Sequence, residues 1–305
     1  MCSRALVRPS WSLAAYRRKI QTSPYALHIL VEGKQYDGGY YGRIAEASAI
    51  VASGGYEVTR VDTIYTAGGK AGVIGVFESL RRSGNLVQHT SRGKRVAVFM
   101  LDSDVRTVVA EGAKRNPHVF YTSGYDIESD ILVNGDGVAA LSAAVGISPR
   151  SARALASALG AWYEDAATHW KEWIILCCLA KRLRVGCDAS FSRAAVKPSD
   201  LANIPVVRSN LQARAGLSSS EFASLERTIR RRVESALKRR SGYTLVKGKW
   251  LPAYLEARIS SHYSKSSCPD LNNFKIKIVS CYLATLNGSE SWALRYRSSW
   301  EYLVT

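Results

Sequence analysis

The run Arg95-Val96-Ala97-Val98-Phe99-Met100-Leu101 constrains this chain most: it is apolar from its second residue onward and ends abruptly in Asp102-Ser103-Asp104. A short apolar run without alternation fits a strand covered on both faces. Such a strand needs a layer on each side. Its neighbours supply them. Ala26 to Val31 is another short apolar run, Tyr56 to Thr63 alternates, and His118-Val119-Phe120-Tyr121 suggests a fourth strand. Between them lie a helical segment over about Gly39 to Ala52, closed by Gly54-Gly55, and a stripe of Val73, Val76, Phe77 and Leu80 at helical spacing. This alternation predicts an α/β domain over 27–137, a Rossmann-like parallel sheet flanked by helices. Sheets of this kind bind ligands beyond the carboxyl ends of their strands.

The flanking segments read differently. Residues 1–26 form an amino-terminal extension whose Ser10 to Ile20 stretch suits a short amphipathic helix against the first strand. Residues 138–305 are mainly helical and basic. Ser148-Pro149 is a helix start, followed by helix from Ser151 to Lys181. Residues 185–217 read as looped, with Pro198 and Pro205 as breakers. Ser218-Ser219-Ser220-Glu221 is a capping box. The helix after it carries Phe222, Leu225, Ile229, Val233 and Leu237 on one side and Arg227, Arg230, Arg231 and Lys238 on the other. Trp162, Trp170 and Trp173 recur at helical spacing, as core residues do, and Cys177-Cys178 follow the apolar Trp173-Ile174-Ile175-Leu176.

Charge narrows the partners. The 305 residues carry a formal net charge of +17. A body this basic attracts polyanions, nucleic acid ahead of a membrane surface or an acidic protein. The charge is uneven: residues 101–150 hold seven acids against four bases, and residues 227–249 hold nine bases against one acid, Glu234. The six cysteines form no CxxC pair and the five histidines are scattered, so neither a structural zinc site nor a disulfide framework is expected, and a reducing cytoplasm is. No apolar run reaches membrane-spanning length. Arg81, Arg82, Arg92, Lys94 and Arg95 flank strands and are expected at the surface.

The acids are the candidate chemistry. Glu32 ends the first strand run, and Asp102 and Asp104 end the strongest one. Carboxylates gathered at one sheet edge repel each other unless a cation neutralises them, and Mg2+ (or Mn2+) takes a few carboxylate oxygens and keeps its waters. Gly68-Gly69-Lys70-Ala71-Gly72 lacks P-loop spacing, so any ATP dependence would come from a partner. Tyr36, Tyr40 and Tyr41, just after Glu32, are suited equally to nucleotide contact and to packing.

Taken together, Val31-Glu32-Gly33-Lys34, Gly68-Gly69-Lys70, Leu101-Asp102-Ser103-Asp104 and Tyr125-Asp126-Ile127-Glu128-Ser129, with Val246-Lys247-Gly248-Lys249 near the carboxyl end, resemble the TOPRIM-like nucleases. These are related to the overcoming-lysogenization-defect nucleases and include the TOPRIM effector subunits of PARIS-type anti-phage systems. The resemblance covers 27–130 and is loose beyond 150, apart from Gly248-Lys249. It implies metal-dependent phosphodiester hydrolysis of DNA or RNA by a toxic effector that works with an ATPase. It further implies Glu32 as metal ligand or general acid/base, Asp102 and Asp104 as metal ligands, Asp126 and Glu128 as later acids with Glu128 ahead, and Lys249 as a stabiliser of developing negative charge.

The acid after Glu32 falls at Asp37, one place later than the EGKxD spacing of the group. For Asp126 and Glu128 a helix-start role weighs equally with a catalytic one. For the Arg227, Arg230, Arg231 and Lys238 face, a solvated surface weighs equally with phosphate binding. A non-catalytic nucleic-acid-binding or assembly subunit with a degenerate site stays open, as do the substrate, the metal count and a homo-oligomeric state.

Overall fold

The computed structural model describes residues 12–33, 35–51, 54–64, 68–263 and 268–305. The chain divides into two units, one made of 1–102, 114–122 and 286–305, the other of 103–113 and 123–285. Lys34 and the first eleven residues lie outside the described residues, so the amino-terminal helix is described only over α1, Leu13–Thr22.

The first unit is built on a five-stranded sheet. Its strands are β1 (Leu27–Val31), β2 (Tyr56–Arg60), β3 (Val87–Thr90), β4 (Gly93–Leu101) and β5 (Val119–Tyr121). β1 pairs in parallel with β2 and β4, and β5 in parallel with β4. The sheet is nevertheless mixed, because β3 runs antiparallel to β4. The expected purely parallel sheet is corrected at this point. Val87-Gln88-His89-Thr90 has no apolar pattern, and a tight turn through Ser91 and Arg92 returns it alongside β4.

Alternation along the strands separates two faces. Leu30, Ala97, Phe99 and Leu101 pack with Tyr16 and Ile20 of α1 and with Val73, Val76, Phe77 and Leu80 of α3 (Gly69–Arg82). α2 (Asp37–Glu46) starts two residues before the expected Gly39 and stops at Glu46, short of the expected Ala52, with a separate helical turn at Ala49–Val51. Its Tyr41 joins Trp300 and Tyr296 of the terminal helix Leu294–Val304, and both of those also contact Phe120 of β5. The whole of Val96–Leu101 is buried, as its composition requires. Each Val, Phe, Met and Leu side chain of this run contributes roughly 1.5–3 kcal/mol on burial. Tyr36, Tyr40 and Tyr41 are buried too, so they are packing residues. Arg95 is 3% exposed rather than at the surface, and its guanidinium donates to the Ser23 and Lys94 carbonyls at 2.9 and 3.0 Å.

The second unit is helical. Trp173 to Ala180 of the helix Lys171–Leu183 are all buried, Cys177 and Cys178 among them, and burial pushes both thiols up. Trp162 and Trp170 are buried as their spacing predicts. Ser218 and Glu221 complete a reciprocal capping box, and the long helix Ser219–Lys238 buries Phe222, Ile229, Val233 and Ala236. The 185–217 stretch departs from the looped reading: Pro198 opens a helix Pro198–Ala202, and Pro205 occupies the first turn of Ile204–Ala215. Proline is tolerated there because first-turn amides need no helical acceptor.

The boundary at 137 expected from sequence does not match this division. Residues 103–113 and 123–137 belong with the helices, and 286–305 complete the sheet unit. Among the described residues no helix is long and apolar enough to cross a membrane.

Candidate active-site residues

In the first unit, β1 and β4 are parallel neighbours with Leu30 opposite Phe99. Glu32 follows the end of β1 and Asp102 follows the end of β4, so both acids stand at the same carboxyl edge of the sheet. Glu32 is half-buried and its Oε2 is screened from solvent. The turn behind it is held by Asp37, whose Oδ1 accepts the Gly33 amide at 3.1 Å. A Cβ at Gly33 would stand 2.1 Å from Asp37 Oδ2, so any other residue there would displace the Asp37 carboxylate. Lys70, in the first turn of α3, donates to the Asp102 carbonyl at 2.9 Å. A pair of carboxylates at one edge offers only hard oxygen donors, which suits Mg2+ or Mn2+ with water completing the shell.

Asp104, Asp126, Glu128 and Lys249 lie in the second unit. Asp104 takes a left-handed backbone conformation (φ 47°), and its amide donates to the Tyr125 carbonyl at 2.7 Å. Its carboxylate is 3.4 Å from Lys181 Nζ, which also lies 3.7 Å from Glu111.

Asp126 is the N-cap of the helix Ile127–Asn134, accepting from Ser129 N at 2.9 Å and Ser129 Oγ at 2.8 Å. The same carboxylate accepts the Gly248 amide at 3.0 and 3.1 Å. It is 4% exposed, and burial, reinforced by neighbouring Glu128, pushes it up to about 7 against the pull of those hydrogen bonds. Gly248 is obligatory at this contact: a Cβ would meet Asp126 Oδ1 at 2.4 Å, Glu128 Cβ at 2.5 Å and Ser129 N at 2.5 Å. The two sequence elements around Asp126 and Gly248 are therefore halves of one packed corner. Asp126 is its structural clasp.

That clasp leaves other groups available. Glu128 is half-buried, Lys249 is exposed, and neither makes a hydrogen bond or ion pair among the described residues. Lys247 Nζ donates to the Phe191 carbonyl at 2.7 Å. Burial and then Lys249 lower its pKa, while Asp126, Glu128 and Asp104 work the other way.

The four basic residues of the long helix do not share one fate. Arg227, Arg231 and Lys238 are exposed and make no ion pair among the described residues. Arg230 is ion-paired instead: it grips Glu172 at 2.5 and 2.7 Å and Glu226 at 3.1 Å. That pairing neutralises its charge and ties the long helix to Lys171–Leu183.

Some structural groups carried no usable sequence signal. Asp130 is fully buried and accepts the Ser123 and Gly124 amides at 2.9 and 2.5 Å. Glu164 accepts the Gly242 amide at 2.8 and 2.9 Å. Lys181 could have been singled out, because it is the first charge after the buried apolar run from Trp173 to Ala180. Among the described residues no group of three or more His, Cys, Asp or Glu side chains is gathered where a metal ion could be held. Compared with protein-family models and with curated proteins, the chain matches none.

Proposed function

We propose that the chain is a TOPRIM-like nuclease that hydrolyses phosphodiester bonds of DNA or RNA with Mg2+ or Mn2+, and that it serves as a toxic effector in anti-phage defence beside an ATPase partner. One observation carries the reading: Glu32 and Asp102 end adjacent parallel strands at one sheet edge. These two residues would hold the cation. When bound, it would neutralise charge on the non-bridging oxygens and lower the pKa of an attacking water. Lys70 fixes the Asp102 backbone, and Asp37 fixes the turn that presents Glu32. The defence role and the ATPase rest on the sequence resemblance alone, as do the parts assigned to Asp104, Glu128 and Lys249.

The test is cleavage of labelled single- and double-stranded DNA and RNA with and without Mg2+ or Mn2+, alongside growth arrest on expression in a bacterial host with the ATPase present. Glu32→Gln and Asp102→Asn should each lose cleavage by at least ~100-fold and relieve the arrest. Undiminished cleavage in Glu32→Gln would refute the assignment.

One observation favours a non-catalytic subunit: the Asp37 carboxylate is committed to the Gly33 amide rather than presented at the EGKxD position. That reading predicts nucleic-acid binding with no metal-dependent cleavage by the wild type.

A further inference from the structure

A cleft of about 540 Å3 opens beside the long helix within the second unit. Thr228, Arg231, Arg232, Ser235, Ala236 and Arg239 line one wall, recurring at three- and four-residue steps as one helical face does. Thr107 and Val108, with Thr244, line the rest, and no acid does.

The arginines of this wall keep their charge. Arg232 donates to the Val108 carbonyl at 2.7 Å, and Arg239 donates to Ser235 Oγ at 2.9 Å, both neutral acceptors. Arg231 makes no hydrogen bond or ion pair among the described residues. Its neighbour Arg230 shows what the helix does when a charge is to be neutralised, gripping Glu172 with both nitrogens. Three guanidiniums around one opening repel each other unless an anion joins them. The hydroxyl protons of Thr228 and Thr244 already go to the Ser224 and Ser241 carbonyls, so the charged donors lining the cleft, its guanidiniums, are the groups suited to an anion. Their planar forks match phosphate oxygens.

Size and spacing select the kind of phosphate. Arg231 and Arg239 are separated by ~12 Å of helix axis, more than one phosphate group spans. The volume is that of a small-ligand pocket, with room for a nucleotide unit but not for a double helix. We propose that this cleft seats the phosphate backbone of a single nucleic-acid strand, with Arg231 and Arg239 as its anion contacts. The proposal deepens the nucleic-acid part of the reading above and rests on it. It concerns binding, whereas Glu32 and Asp102 concern cleavage.

The experiment is fluorescence anisotropy of a labelled single-stranded oligonucleotide with the full chain, in EDTA so that no cleavage intervenes, across a salt series. Arg231→Ala and Arg239→Ala should each weaken binding about tenfold and reduce the slope of log affinity against log salt by about one. Arg153→Ala, an exposed arginine of the helix Pro149–Leu159 outside the cleft, should change neither. Both cleft arginines are exposed, and unchanged melting temperatures will show that the variants fold. Wild-type binding by both cleft variants overturns the proposal, as does equal weakening by Arg153→Ala, which would mark attraction by net charge alone. Arg231-dependent binding of a nucleoside triphosphate, with oligonucleotide binding indifferent to Arg231, would also overturn it and give the cleft to a free nucleotide. Cleft-dependent binding without metal-dependent cleavage would sink only the nuclease reading. Cleavage without cleft-dependent binding would sink only the cleft.

Discussion

At the scale of single residues, Gly248 and Asp126 show how a short motif becomes a physical object. Asp126 holds the Gly248 amide, and Gly248 lies so close that even a methyl group has no space. Two of the atoms a Cβ would meet are Glu128 Cβ and the Ser129 amide nitrogen, which cannot swing away as a flexible side-chain end would. Gly248→Ala should therefore destabilise the chain by about 1–3 kcal/mol, read from denaturant midpoints, with a wild-type midpoint sinking the assignment. Asp126 gives a pH test. Its pKa is pushed up to about 7 in the folded chain, against ~3.9 for an unfolded Asp. Between those values the folded chain keeps a proton that the unfolded chain has released. The linked stabilisation is thus present at low pH and is lost as pH rises through about 7. Asp126→Asn cannot titrate there. The stability of wild type relative to Asp126→Asn should fall between about pH 4 and pH 7; a relative stability that rises over that interval would show that the sign is wrong.

At the scale of elements, the long helix separates structural from available charge. Arg230 and Glu172 form a forked pair, but the side chains are 28% and 36% exposed, so solvent screens them. Arg230→Ala should cost only about 0.5–1 kcal/mol of stability and leave the proposed affinity for nucleic acid within about twofold. A tenfold loss of affinity would return Arg230 to the phosphate-facing set. Periodicity in the sequence exposes the helix and its buried stripe, but it cannot show which arginine meets a glutamate 58 positions away. The same limit governs the sheet. β1 and β4 are legible because burial selects apolar runs, and β2 and β5 from a short alternating and a short apolar-aromatic stretch, whereas β3 is recruited by its turn and by pairing with β4. The edge positions of Glu32 and Asp102 follow from the strand ends and were legible. The Asp126–Gly248 contact joins positions 122 apart, and no local pattern encodes it.

At the scale of the whole chain, the sheet unit is closed by residues far from it in sequence. Trp300 is fully buried and contacts Tyr41 of α2 and Phe120 of β5, while Arg295 and Tyr296 reach the Tyr121 carbonyl. None of these contacts involves residues 123–285, which form the other unit. Trp300→Ala should therefore act on one unit selectively. Removing the indole costs about 3–5 kcal/mol through lost burial and the cavity left behind. The loss should appear as faster amide exchange in α2, β4 and β5, with protection in the helices Lys171–Leu183 and Ser219–Lys238 unchanged. Native-state hydrogen exchange read by mass spectrometry resolves these segments. If protection instead falls by the same amount in both units, the chain opens as one cooperative body. A selective loss would mean that the carboxyl-terminal helix Leu294–Val304 stabilises the unit carrying Glu32 and Asp102. The proposed cleavage activity of Trp300→Ala should then fail on warming before the proposed oligonucleotide binding does, because the proposed binding groove lies in the unit that the substitution leaves intact.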